Sequence, residues 1–298
     1  YNDYDGASTH RITDAINQGA YVVQHRDHGW TNIWGSPWLH IDSLHLLNNE
    51  NKLPLILSVN CASGKFNNAN CLVEEFMKMD NKGAIAVIAP TCQTHSYTND
   101  SYTWGVWDFF ENDFLPDYGT STANNNNYMP AFANVSAKYF LLQQNFPNTY
   151  QNTRELTNRT FHAHCDAFLK IYSEVPQQMS VEHDEHYNYD SRTFNIKAPQ
   201  GSTICISAEG LDGIKIANTT EGTGNYQTIS LSEIATPEKI IRLTVTKNNH
   251  LRYETTISAH TENAFVKMND FNFYDDIQYL IFNNNTSIDL ELKNIGLK

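Results

Sequence analysis

Residues 53–59 (LPLILSV) and 83–89 (GAIAVIA) are two nearly unbroken apolar runs, and they restrict the fold more than any other feature of the chain. Neither approaches the ~20 apolar residues that cross a bilayer. Neither alternates polar with apolar, so both faces of each segment must be covered. The usual solution is a central strand of a mainly parallel sheet with helices packed on both sides. A third strand is expected at residues 21–24 (YVVQ), running into His25-Arg26-Asp27-His28-Gly29. Helices are expected around these strands. Residues 8–20 have Ser8 or Thr9 as a cap, Ile12, Ala15 and Ile16 as the apolar stripe, and Gly19 as the stop. Residues 71–80 carry Leu72, Val73, Phe76 and Met79 at helical spacing. Residues 41–49, 104–115 and 131–145 read as further helices, and 155–174 as a last long one. Strands alternating with helices imply a three-layer α/β/α sandwich.

The texture changes after Pro176. Residues 194–198, 203–207, 213–217, 226–230, 241–246 and 253–258 alternate with period two, separated by turn residues. Several short strands so spaced imply an all-β immunoglobulin-like sandwich. The expected division is an α/β domain over residues 1–177, the sandwich over 178–260, and the start of a further β module over 261–298, where Asp289-Leu-Glu-Leu-Lys repeats the strand pattern. Residues 124–127 read as a polar loop.

At 298 residues with 40% apolar and 12% aromatic side chains, the chain can build a sizeable core. Its net charge of −13 repels phosphate backbones and anionic lipid, so nucleic acid is not an expected partner. No membrane span is expected. The first residue is Tyr and no signal peptide precedes it, so the chain reads as a processed or trimmed product with a segment upstream. Five cysteines (Cys61, Cys71, Cys92, Cys165, Cys205) include no CxxC pair, which argues against zinc and against a disulfide framework. Most should be small buried hydrophobes; Cys71 and Cys92 read that way rather than as a pair.

Chemistry in a parallel sheet gathers at the carboxyl ends of the strands. His28-Gly29 follows one strand and Cys61 ends the next, 33 residues later, the length of one strand–helix–strand unit. A cysteine nucleophile needs a thiolate, a base and donors for the oxyanion. Two adjacent strands with these ends can deliver all three: Cys61 as nucleophile, His28 as base, and the N–H groups of Gly29 and Cys61 as the oxyanion hole.

Asp27-His28-Gly29, Asn60-Cys61 with Phe66 beyond it, and residues 83–88 (GAIAVI) resemble the gingipain family of secreted cysteine peptidases, which have a caspase-like fold. Residues 102–106 (YTWGV) match less closely. Residues 198–207 (APQGSTICIS) and 243–251 (LTVTKNNHL) resemble the immunoglobulin-like domain that follows the catalytic domain in that family. The resemblance covers about residues 10–260. It implies that Cys61 is the nucleophile and His28 the general base and acid. Val59, with Trp104, would line the pocket for the side chain preceding the scissile bond. In the family an acid orients the histidine from well upstream, and so does part of the pocket. Asp27 is a local substitute, but adjacent strand residues face opposite ways. Residues 93–99 depart from the family's pocket loop, so Arg or Lys specificity does not carry over. Arg26, on the strand face of His28, would favour acidic side chains if it entered the pocket; the alternative is a plain surface or ion-paired Arg.

The expected function is thus a secreted or cell-surface cysteine endopeptidase acting on protein or peptide substrates, with an upstream segment of the same precursor as partner. Alternatives are a transpeptidase or signal-removing peptidase of the same fold at the bacterial surface, and a catalytically silent surface-binding protein. No cofactor is required for catalysis. Structural calcium is compatible with the family, and Asp3, Asp5 and Gly6 hint at a calcium loop without its remaining ligands. His162, His164 and Cys165, and the cluster His183, Asp184, Glu185 and His186, are weaker metal candidates.

Overall fold

A computed structural model of the chain describes residues 7–67, 70–111, 114, 128–143, 149–188, 191–210, 213–231 and 240–260. Asp3, Asp5, Gly6, residues 124–127 and the expected module 261–298 lie outside them. The N-terminal half opens with α1 (Ala7–Gln18) and β1 (Val22–Arg26). Three two-residue strands follow, β2 (Gly29–Trp30), β3 (Ile33–Trp34) and β4 (Leu39–His40). Next come β5 (Leu55–Val59), α2 (Leu72–Lys78), β6 (Ala86–Pro90), α3 (Ser96–Phe110), α4 (Pro130–Gln143), α5 (Gln151–Thr160) and β7 (Phe161–His164). The main sheet has the order β1-β5-β6-β7. The first two pairings are parallel and the last is antiparallel.

Both apolar runs are central strands, and every residue of β5 and β6 is buried. Their side chains divide by parity, as a pleated strand requires. Leu55, Leu57, Val59, Ala86 and Ile88 pack with Tyr102, Val106 and Phe110 of α3 and Ala133, Ala137 and Phe140 of α4. Ile56, Val87 and Ala89 pack on the other face with Ile16 of α1 and Leu72, Val73 and Phe76 of α2. The two clusters make the three layers. Gly19 ends α1 at φ +106°, as expected of a C′ glycine.

Three elements differ from expectation. Residues 41–46 form a 3₁₀ helix rather than an α-helix. α3 begins at Ser96, eight residues before the expected start, because its first turns bury polar side chains that bond back to their own helix: Ser101 Oγ donates to the Tyr97 carbonyl and Thr103 Oγ1 to the Asn99 carbonyl. Such turns carry no apolar period. The expected long helix over 155–174 stops at Thr160, and Phe161-His162-Ala163-His164 pairs with β6 as a strand, which satisfies an otherwise open edge.

Among the described residues from 182 on, the regular elements are strands. Strands β8 (Glu182–His183), β9 (His186–Asn188), β10 (Thr193–Lys197), β11 (Thr203–Gly210), β12 (Gly213–Glu221), β13 (Tyr226–Ser230), β14 (Ile241–Thr246) and β15 (Tyr253–His260) pair mainly antiparallel. One parallel contact, β15 with β9, links two groups of strands. Phe194 and Ile196 of β10, Ile204 and Ile206 of β11, Ile229 of β13, and Leu243 and Val245 of β14 share one buried cluster.

Candidate active site

The register of β1 on β5 accounts for the 33-residue spacing. Val22 pairs with Leu55 and each step onward keeps that offset, up to Arg26 opposite Val59. His28 and Cys61 therefore each lie two residues beyond the last pair, at the carboxyl end of adjacent parallel strands. Beyond Cys61 the chain turns sharply at Ala62, which takes φ +55°. A non-glycine residue there is strained by about 1 kcal/mol or more. The chain then folds back along residues 90–92, Ala62 N–H donating to the Cys92 carbonyl and Gly64 N–H to that of Pro90.

The Cys61 sulfur is half-buried and free. It accepts the Thr94 N–H at 3.4 Å, a contact suited to an S⁻ nucleophile. Thr94 is itself held by Oγ1 donating to the Asn60 carbonyl and accepting from Asn99 Nδ2. The His28 side chain is 81% exposed. No hydrogen bond joins it to Cys61 among the described residues. Asp27 accepts the His28 backbone N–H at 2.6 Å, while its carboxylate stays 3.9 Å from Nε2. Gly29 faces Trp34 in the hairpin of β2 and β3. Gly35 N–H donates to the His28 carbonyl, so the next pair along, Gly29 with Trp34, is a non-hydrogen-bonded one and the Gly29 N–H points away from β3.

The remaining sequence candidates are placed differently from expectation. Val59 is fully enclosed in the core with Leu55 and Leu57, because strand parity turns it inward. It presents no surface to a pocket. Trp104 packs half-buried against the same cluster. Arg26 makes a two-pronged ion pair with Asp100 of α3, Nε to Oδ1 at 2.5 Å and Nη2 to Oδ2 at 2.9 Å, and also donates to Ser96 Oγ. The hydrogen bond to Asp100 raises its pKa further. Arg26 thus fastens β1 to α3 and is not a free pocket cation. The pair is partly exposed, so Arg26→Ala is expected to cost at most about 1 kcal/mol in urea unfolding. It should alter cleavage of peptides with acidic side chains no more than of neutral ones, in parallel rate measurements.

A cleft of about 600 Å³ opens beside Ala62, the residue after Cys61; it is lined by Trp30, Thr31, Ala62, Lys65, Cys92, Gln93 and Leu156, and neither Cys61 nor His28 is among its walls. Cys92 is half-buried at this cleft rather than a core thiol, with its pKa raised by burial and then by the neighbouring Cys61. Trp30 is 51% exposed and stacks on Trp38. The walls come from four separate segments, residues 30–31, 62–65, 92–93 and 156; Trp30 and Ala62 lie close to His28 and Cys61 in sequence, and Gln93 begins the pocket-loop segment 93–99.

Beneath the two strand ends lies a buried polar network. Asn60 Nδ2 donates to Ser58 Oγ at 2.8 Å and to His25 Nδ1 at 3.0 Å. His25 Nε2 reaches the Gly35 carbonyl at 3.0 Å, and its ring stacks on Trp34 at 4.6 Å. Trp34 Nε1 donates to Ser58 Oγ, which pairs with Ser63 Oγ. Burial holds the His25 pKa below its ordinary value, against the opposing Gly35 carbonyl and Asp27.

Of the metal candidates, His183 and His186 are hydrogen-bonded elsewhere, while His164 Nε2 is buried without a hydrogen-bond partner. His162 and His164 lie on β7, two residues apart and hence on one face, with ring centroids 6.5 Å apart. His183 bonds the Asp184 carbonyl and the Tyr253 hydroxyl, and His186 bonds Ser258 Oγ. Among the described residues no group of three or more His, Cys, Asp or Glu side chains is placed to hold a metal ion. Nor is any helix long and apolar enough to cross a membrane.

Among solved structures, the Arg-specific cysteine proteinase gingipain R is 21% identical, with a TM-score of 0.65 over 85% of this chain and 56% of its own. A complex of RgpB pro- and mature domains from Porphyromonas gingivalis is 20% identical, with a TM-score of 0.67 over 85% and 57%. A third structure, described only as a protease, is 19% identical, with a TM-score of 0.61 over 86% and 57%. The chain thus spans a little over half the length of these proteins, and at such identities the likeness is one of fold. No curated protein matches. The family model for peptidase family C25 matches residues 1–172, more than half of the chain, which therefore belongs to this family, that of the gingipains.

Proposed function

We propose that the chain carries the nucleophile and base of a secreted cysteine endopeptidase, Cys61 and His28. The observation that carries the reading is the in-register placement of both residues just past the carboxyl ends of adjacent parallel strands, in a chain of peptidase family C25. The Cys61 thiol gives its proton to His28 and the sulfur attacks the peptide carbonyl carbon, forming a C–S bond as the carbonyl π bond opens to the oxyanion. The oxyanion is held by the N–H groups of Gly29 and Cys61. As the tetrahedral adduct collapses the C–N bond breaks, and the leaving amine takes a proton from His28. Water then attacks the thioester, His28 accepting its proton and returning one to the sulfur. His28 is turned to solvent, and a rotation about its side-chain bonds would bring the imidazole to the thiol; such contacts often tighten only on substrate binding.

The cleft bounded by Trp30, Ala62, Lys65 and Cys92 is the place for substrate. Among the described residues its walls carry no carboxylate. The open edge of β1 suits a strand from an upstream segment of the same precursor, which would also bring the acid that orients His28. In this reading the sheet is caspase-like and the C-terminal strands form the immunoglobulin-like domain of the family. Turnover of peptide substrates by the full-length protein, with and without an added amine, tests the reaction type. Hydrolysis products alone are expected. A new amide bond to the added amine would make the protein a transpeptidase instead, and absence of any turnover would point to a silent binding protein.

A further inference from the structure

We propose that Asn60, oriented by His25, is a positioning residue that sets the spacing of the two strand ends carrying His28-Gly29 and Cys61; this rests on the peptidase reading above. Asn60 immediately precedes Cys61 and is fully buried. Its carboxamide lies against Gly29, where an added Cβ would fall 2.5 Å from Asn60 Cγ and 2.7 Å from Oδ1. The side chain of one strand end thus fills the space that a side chain on the other would need.

The hydrogen bonds fix every proton of the arrangement. Both Asn60 amide hydrogens are spent, on Ser58 Oγ and His25 Nδ1. His25 Nδ1 accepts, so the ring proton sits on Nε2 and goes to the Gly35 carbonyl. Gly35 N–H in turn donates to the His28 carbonyl at 2.8 Å. Ser58 Oγ accepts from both Asn60 and Trp34, so its own proton goes to Ser63. One continuous path therefore runs from the residue before Cys61 to the backbone of His28. Asn60 Oδ1 is the atom left without a partner, buried beside Gly29. The path closes only with His25 neutral and Asn60 a donor. Around His25 stand the Trp34 ring, the Gly35 carbonyl and the Asn60 amide, and Asp27 is the charged side chain that acts on it.

Asn60→Asp keeps the shape and reverses the polarity. A carboxylate can only accept, so the link to His25 re-forms only when Nδ1 is protonated. Misplacement of reacting groups by about 1 Å costs about 100-fold. Asn60→Asp should therefore lower kcat about 10- to 100-fold at pH 8 with KM within about threefold. Its kcat relative to the unaltered protein should recover about tenfold on acidification, as the introduced carboxylate draws a proton onto His25 against the burial that lowers its pKa. The double variant Asn60→Asp/His25→Gln lacks the titrating ring and should show no recovery. Rates are taken per folded molecule of the full-length protein, the folded fraction being measured by unfolding of the same preparation. Should Asn60→Asp fail to fold, His25→Gln against His25→Leu decides, with kcat retained by the hydrogen-bonding Gln and lost with Leu. A ratio flat in pH, equal recovery in the double variant, or equal losses for Gln and Leu overturns the proposal. Cleavage that persists in Cys61→Ala overturns the peptidase reading and this proposal with it.

Discussion

Replacing Cys61 by alanine is expected to lower peptide turnover by about 10⁴-fold or more and to leave the fold intact. Loss of a covalent nucleophile removes the acyl-enzyme route altogether, which is why single knock-outs in such centres cost about 10⁴–10⁶ in kcat. The stability cost is small for structural reasons. Cys61 is only half-buried, and its sulfur receives one N–H, from Thr94. Cys92 serves as the control: it lies beside Cys61 at the cleft, and Cys92→Ala should keep turnover within a few-fold. Rates for both variants, with thermal unfolding alongside, check the expectation. Comparable losses for the two would move the nucleophile away from Cys61.

Gly29→Ala is the second large effect, and it acts on stability and rate together. The methyl would lie 2.5 Å from Asn60 Cγ and 2.9 Å from Asn60 Cβ, contacts that real Cβ atoms do not make. Asn60 cannot move aside freely, because both its amide hydrogens are bonded within the buried network. Overpacking of this kind costs about 1–3 kcal/mol. The displaced group is the neighbour of Cys61, so a loss of kcat of about 100-fold should accompany it. Urea unfolding and steady-state kinetics on the same preparation measure both. A variant with unaltered stability and rate would mean that the close approach of the two strand ends is wrong.

The sheet was legible because residues 53–59 and 83–89 have no polar face to offer, which leaves central parallel strands as the only place for them. The pairing of His28 with Cys61 was legible because a constant register carries any two such residues to the same sheet edge. Parity along β5 was equally readable, and it turns Val59 inward with Leu55 and Leu57, so its expected pocket role failed on information already present in the strand. Arg26 was open to a pocket or an ion-paired role, and the structure shows the ion pair. Its partner Asp100 comes from the part of α3 whose polar first turns concealed the helix. Phe161-His162-Ala163-His164 was missed as a strand because its alternation is only four residues long and continues directly from a helix. The network of His25, Asn60, Ser58, Ser63 and Trp34 was invisible for a deeper reason. Polar residues at a strand end look solvated until tertiary packing encloses them, and nothing in their spacing says that they bond one another.

The central claim is that Cys61 is the nucleophile. Mass mapping of the full-length protein after treatment with a peptidyl electrophile tests it most directly. The account predicts a single adduct on the peptide containing Cys61, absent after His28→Ala at neutral pH and absent after prior exposure to substrate-like inhibitor. An adduct on Cys92 or another cysteine, or equal labelling of all accessible thiols, would contradict it.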